Sequence, residues 1–70
     1  MSPPMTPPAV SVLMTAYNRE KYIGDSIESV LAQQFTDFEL LVVDDCSTDE
    51  TLAIARRYEE LDSRVRVVEM

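Results

Sequence analysis

The chain has 70 residues, with 6 Lys+Arg against 13 Asp+Glu and a formal net charge of −7. That length holds one small domain at most, burying only about 60% of its unfolded surface, and the acidic balance argues against nucleic acid, whose binding rests on Lys and Arg neutralising phosphates. A single cysteine, Cys46, and the absence of histidine leave no intramolecular disulfide, no His-bearing zinc site and no Ser-His or Cys-His nucleophile pair.

In chain order, residues 1–8 (M-S-P-P-M-T-P-P) hold all four prolines. Proline lacks a backbone N–H and favours polyproline II, so this stretch reads as a flexible Pro-rich lead; it has neither the charged nor the apolar region of a signal peptide. Residues 10–15, V-S-V-L-M-T, are β-branched and apolar and predict a buried strand. Ala16-Tyr17-Asn18 follows as a loop, with Asn18 as the N-cap of a helix, its side chain accepting a free amide of the first turn. Ile23, Ile27, Val30 and Leu31 then recur at helical spacing and predict roughly four turns with one aliphatic face. Phe35-Thr36-Asp37-Phe38 ends that helix.

Residues 39–43, E-L-L-V-V, form a second strand, apolar on both faces as at the centre of a covered parallel sheet. Asp44-Asp45-Cys46-Ser47 leads into a capping box, Ser47-x-x-Glu50, in which the hydroxyl accepts from the Glu50 amide and the carboxylate reaches back. Leu52, Ile54, Ala55, Tyr58 and Leu61 supply the apolar stripe of a second helix, and Asp62-Ser63-Arg64 turns the chain into a third strand over residues 65–69. No apolar run approaches the ~20 residues that span a bilayer.

Strand, helix, strand, helix, strand is the order of an α/β, Rossmann-like parallel sheet with right-handed crossovers. Crossovers running the same way put both helices on one face and leave the other bare. Yet the middle strand turns Leu40 and Val42 to one side and Leu41 and Val43 to the other. A strand built for two covered faces predicts that residues 9–70 are the N-terminal part of a larger α/β domain.

Ligands of open α/β sheets bind outside the carboxyl ends of the strands. Those ends are Thr15-Ala16-Tyr17-Asn18 and Asp44-Asp45-Cys46-Ser47, which converge on one rim if the strands are neighbours. The single glycine, Gly24, lies inside the first helix; without glycines where phosphate must approach the backbone, a dinucleotide fingerprint and a P-loop are both excluded. By spacing alone Asp44 and Asp45 read equally well as solvated loop residues near the positive end of the second helix. Tyr17 reads as a packing residue and Thr15 as a strand former.

At these loops the combined pattern V-S-V-L-M-T-A-Y-N, S-V-L-A-Q and V-D-D-C-S-T-D resembles the start of family-2 glycosyltransferases with the GT-A fold. The likeness runs over residues 10–70 and is greatest to bacterial enzymes of the spore-coat polysaccharide type. The resemblance implies an inverting transferase that moves a sugar from a UDP- or dTDP-sugar to the hydroxyl of a saccharide or lipid-linked acceptor. It implies Mg²⁺ or Mn²⁺, held by a later D-x-D motif, and a later carboxylate base. Neither lies in these residues, so the chain alone is expected to be inactive. The implied location is the cytoplasm or the inner face of the membrane.

By position, the resemblance puts Thr15 and Tyr17 on the nucleoside, with the Tyr17 ring against the base. Asp45 would accept the N3–H of uracil, and Asp44 would shape the same rim. A carboxylate is an acceptor only, so it suits the N3–H of uracil or thymine and repels the bare N3 of cytosine. Cys46 stands where the family more usually has Gly or Asn, both of which tolerate a left-handed backbone better. Two readings from other classes are a receiver-like signalling module, with Asp44 and Asp45 as an acidic Mg²⁺ pair, and a non-catalytic fragment that oligomerises through its bare sheet face.

Overall fold

Three apolar, β-branched segments pair side by side: β1 (Val10–Ala16), β2 (Phe38–Asp44) and β3 (Val65–Glu69). The computed structural model describes residues 9–34 and 37–70, so the Pro-rich lead and the Phe35-Thr36 part of the expected helix break lie outside the described residues. The sheet is parallel with strand order β1-β2-β3. Helices α1 (Ile23–Leu31) and α2 (Thr51–Leu61) make the two crossovers.

Strand alternation decides what is covered. Leu40 of β2 lies in register with Val12 and Val65, and Val42 with Met14 and Val67. These positions, with Ala16 and Phe38, face Ile23 and Ile27 of α1 and Ala55 of α2 in one core. Ile27, Leu40, Val42 and Val65 are the largest apolar side chains fully buried there, each contributing roughly 1.5–3 kcal/mol of transfer free energy. The opposite face carries Leu13, Leu41, Val43 and Val68; Leu13 is 65% and Val68 44% exposed. Both helices therefore lie on one face, as same-direction crossovers require.

The first helix is shorter than its apolar spacing predicts. The chain leaves β1 and makes a turn in which the Tyr22 and Ile23 amides donate to Arg19 O at 2.9 and 2.8 Å. Only then does a nine-residue helix begin, with Tyr22 at its N-cap and no side-chain cap bond. Asn18 is thus not the cap of α1; its hydrogen bonds go across to the other loop. The expected capping box is also absent, because Glu50 occupies the N-cap of α2 without a side-chain bond. Asp49 takes over, accepting from the Thr51 amide at 2.9 Å and from the Thr51 hydroxyl. Leu61 is 76% exposed and does not belong to the apolar stripe of α2; it is the last residue of the helix, before the extended Asp62.

The free edge of β3 is occupied by α2 side chains. Glu59 Oε2 accepts from the Val67 amide at 2.8 Å, and Arg56 bridges Glu59 and Glu69 at 3.0 and 2.7 Å. At the start of the same strand the Arg64 guanidinium lies 4.7 Å from the centre of the Phe38 ring and pairs with Asp62 at 2.8 Å. Among the described residues no helix is long and apolar enough to cross a membrane.

Candidate functional site

The last residues of β1 and β2, Ala16 and Asp44, are register partners, so the two following loops leave the sheet next to each other. The ladder runs one step further: the Asp45 amide donates to Ala16 O at 2.9 Å. Each loop then turns sharply through a residue with left-handed backbone, Asn18 at φ 50° and Cys46 at φ 58°. The left-handed conformation that the Gly-or-Asn position called for is present at Cys46, whose thiol contacts Met70 O at 3.2 Å.

Between the loops lies a cleft of about 180 Å³ lined by Thr15, Ala16, Tyr17, Arg19 and Asp45. Tyr17 is 53% exposed, so its ring is free to meet a flat ligand, and Asp45 is exposed beside it. A second hollow of about 260 Å³ continues toward α1, lined by Met14, Tyr22, Ile23 and Ser26 and sharing Thr15, Ala16 and Arg19 with the first. The rim therefore gathers a hydroxyl, an aromatic ring, a carboxylate and a guanidinium.

Asp44 and Asp45, adjacent in sequence, part company here. Asp44 is 3% exposed on the core side. Its Oδ2 accepts from the Ser47 amide at 3.2 Å, and its Oδ1 has no partner among the described residues. It lies beneath the loop rather than in the cleft, so it is not a solvated residue. The signal for this was available, because Asp44 continues the inward parity of Leu40 and Val42. Arg19 was missed by sequence reading; the clue was a cation four residues beyond Thr15, beside an otherwise acidic rim.

The loops are stitched by long-range bonds. The amides of Asn18, Arg19 and Glu20 donate to Ser47 Oγ, Thr51 Oγ1 and Asp49 Oδ2 at 3.0, 2.7 and 3.3 Å. Desolvation pushes the pKa of Asp49 up, but the hydrogen bonds from the Thr51 hydroxyl, the Thr51 amide and the Glu20 amide outweigh it. Asp49 is thereby held ionised, below the usual carboxylate range. Among the described residues no group of three or more His, Cys, Asp or Glu could hold a metal ion.

Residues 11–70 match glycosyl transferase family 2. The chain belongs to this family. A Bacillus subtilis glycosyltransferase ascribed to teichuronic acid biosynthesis, TuaG, is 48% identical over 61 residues, which are 87% of this chain and 24% of that protein. The poly(ribitol-phosphate) β-N-acetylglucosaminyltransferase TarS of Staphylococcus aureus is 52% identical over 50 residues, 69% of this chain and 9% of TarS.

Among solved structures, TarS residues 1–349 in complex with UDP-GlcNAc superimpose with a TM-score of 0.77 at 41% identity, over 87% of this chain and 18% of that one. A mannosyltransferase of Pyrobaculum calidifontis, in complex with GDP-Man and Mn²⁺, gives 0.79 at 29% identity, over 93% and 20%. The fold is the GT-A arrangement of these enzymes, and the receiver-like and purely oligomerising readings are not favoured. The chain spans about a quarter or less of the length of the family members it matches.

Proposed function

We propose that this chain is the nucleoside-binding part of a family-2 glycosyltransferase that uses a uridine- or thymidine-diphosphate sugar and transfers the sugar to an acceptor hydroxyl. The observation that carries the reading is the meeting of Thr15, Tyr17, Arg19 and Asp45 around one cleft at the carboxyl ends of β1 and β2. The Asp45 carboxylate accepts the N3–H of the pyrimidine. The Tyr17 ring stacks on the base, an interaction worth roughly 1–3 kcal/mol with little regard to sequence. Arg19, with no ion-pair partner among the described residues, faces the diphosphate, and the Thr15 hydroxyl lines the same cleft. Asp44 acts from below by holding the Ser47 amide.

A divalent ion on the diphosphate would be Mg²⁺ or Mn²⁺, as Mn²⁺ accompanies GDP-Man in the mannosyltransferase neighbour. The described residues do not fit such an ion, since no group of three or more His, Cys, Asp or Glu among them could hold it. The acceptor is a saccharide or lipid-linked hydroxyl, and the cytoplasm, where nucleotide sugars are supplied, is the proposed location.

Calorimetric titration with UDP, CDP and GDP tests the reading. UDP should bind most tightly. Asp45→Asn should weaken UDP by about fivefold, the loss of a charge-assisted bond worth about 1 kcal/mol. It should also narrow the preference over CDP, because an amide can donate to the cytosine N3. Unchanged UDP affinity in Asp45→Asn removes this carboxylate from the site, and tighter binding of GDP than UDP overturns the base assignment.

A further inference from the structure

We infer that Asn18 is a positioning residue for the nucleoside cleft, fixing Tyr17 and Arg19 on one lip against Asp45 on the other; the inference rests on the nucleotide-binding reading. Three consecutive amides of the first loop, those of Asn18, Arg19 and Glu20, each donate to a side-chain oxygen 29 to 32 residues away, in the second loop or at Thr51, the first residue of α2. Asn18 also returns the connection. Its Oδ1 accepts from the Thr48 amide at 2.8 Å and from the Thr48 hydroxyl at 3.4 Å.

Bonds in both directions therefore meet at one residue, and that residue makes the sharp turn at φ 50°. Asparagine suits the position twice over: its short polar side chain tolerates left-handed backbone, and its carboxamide oxygen supplies the acceptor. Tyr17 and Arg19 flank it directly, and both line the cleft. A displacement of Asn18 moves the ring and the guanidinium together, away from their offset to Asp45. An ordinary cap would act on its own helix; this one acts across the sheet rim.

The test uses the full chain with UDP, by titration calorimetry, with circular dichroism reporting the fold. Asn18→Gly keeps the left-handed turn and deletes the acceptor; Asn18→Asp keeps both. Asn18→Gly should remain folded and bind UDP about tenfold more weakly, whereas Asn18→Asp should stay within about twofold of wild type. Tyr17→Ala should cost less affinity in the Asn18→Gly background than alone, a coupling that general destabilisation does not produce.

Should Asn18→Gly not fold, Ser47→Ala removes the acceptor of the Asn18 amide and should give the same loss. Wild-type affinity in whichever of these two variants is folded, or strictly additive losses in the cycle, overturns the positioning role and leaves the nucleotide reading standing. A wild-type chain that binds no UDP overturns that reading and the inference with it.

Discussion

At Cys46 a side chain with a Cβ is held at φ 58°, a conformation costing L-residues roughly 1–2 kcal/mol that glycine avoids. The thiol's contact with Met70 O is a weak compensation. Cys46→Gly is therefore expected to stabilise the chain by roughly 0.5–1 kcal/mol, after allowing for the greater freedom of glycine in the unfolded state. Cys46→Ala keeps the Cβ and should give no such gain. Urea midpoints of the two variants check this, and equal midpoints would mean that the turn stores no strain. The same scale separates Asp45, exposed in the cleft, from Asp44, which is buried one residue earlier and spends an oxygen on the Ser47 amide.

Among the elements, α2 contributes more than an apolar stripe. Glu59 takes the outward-facing amide of Val67, and Arg56 binds both Glu59 and Glu69. An edge strand with satisfied groups is a poor template for pairing with another chain. The Val67 amide first, and the Arg56 guanidinium second, hold the Glu59 pKa below its ordinary value. Asp62 is lowered likewise, by the Arg64 side chain and then its amide. A depressed folded pKa means stability that is present in full above the unfolded value and lost as pH falls through the folded one. The urea midpoint is thus expected to fall below about pH 4. In Glu59→Gln the fall should be shallower, and identical pH profiles would remove Glu59 from that dependence.

Over the whole molecule, two helices cover one face of a three-stranded sheet and leave Leu13, Leu41, Val43 and Val68 on the other. The proposed nucleoside cleft needs only the ends of β1 and β2, so the proposed binding function is compatible with these residues. Sugar transfer needs more. The sequence contains no D-x-D, and no metal-holding cluster is present among the described residues. The 70-residue chain, given a UDP-sugar, Mn²⁺ and an acceptor, is expected to release no UDP above the rate of spontaneous hydrolysis. Acceptor-dependent release by the purified chain would overturn that expectation.

The order of elements and the bareness of the outer sheet face were legible in the sequence, whereas which side of the doubly apolar β2 faces the helices was not. They follow from periods of 2 and 3.6 in apolar residues, which are local records of burial. The family was legible too, in the residues of the two loops at the strand ends. Tertiary structure decided where the polar side chains of those loops went. Asn18 and Ser47 are both good capping residues, and local reasoning gives each its own helix at about 1 kcal/mol apiece. In the fold the register of Ala16 with Asp44 brings them together, and Asn18 bonds to Ser47 and Thr48 instead. Local and long-range hydrogen bonds of similar strength compete for the same atoms, so proximity, which only the assembled sheet sets, determines the outcome.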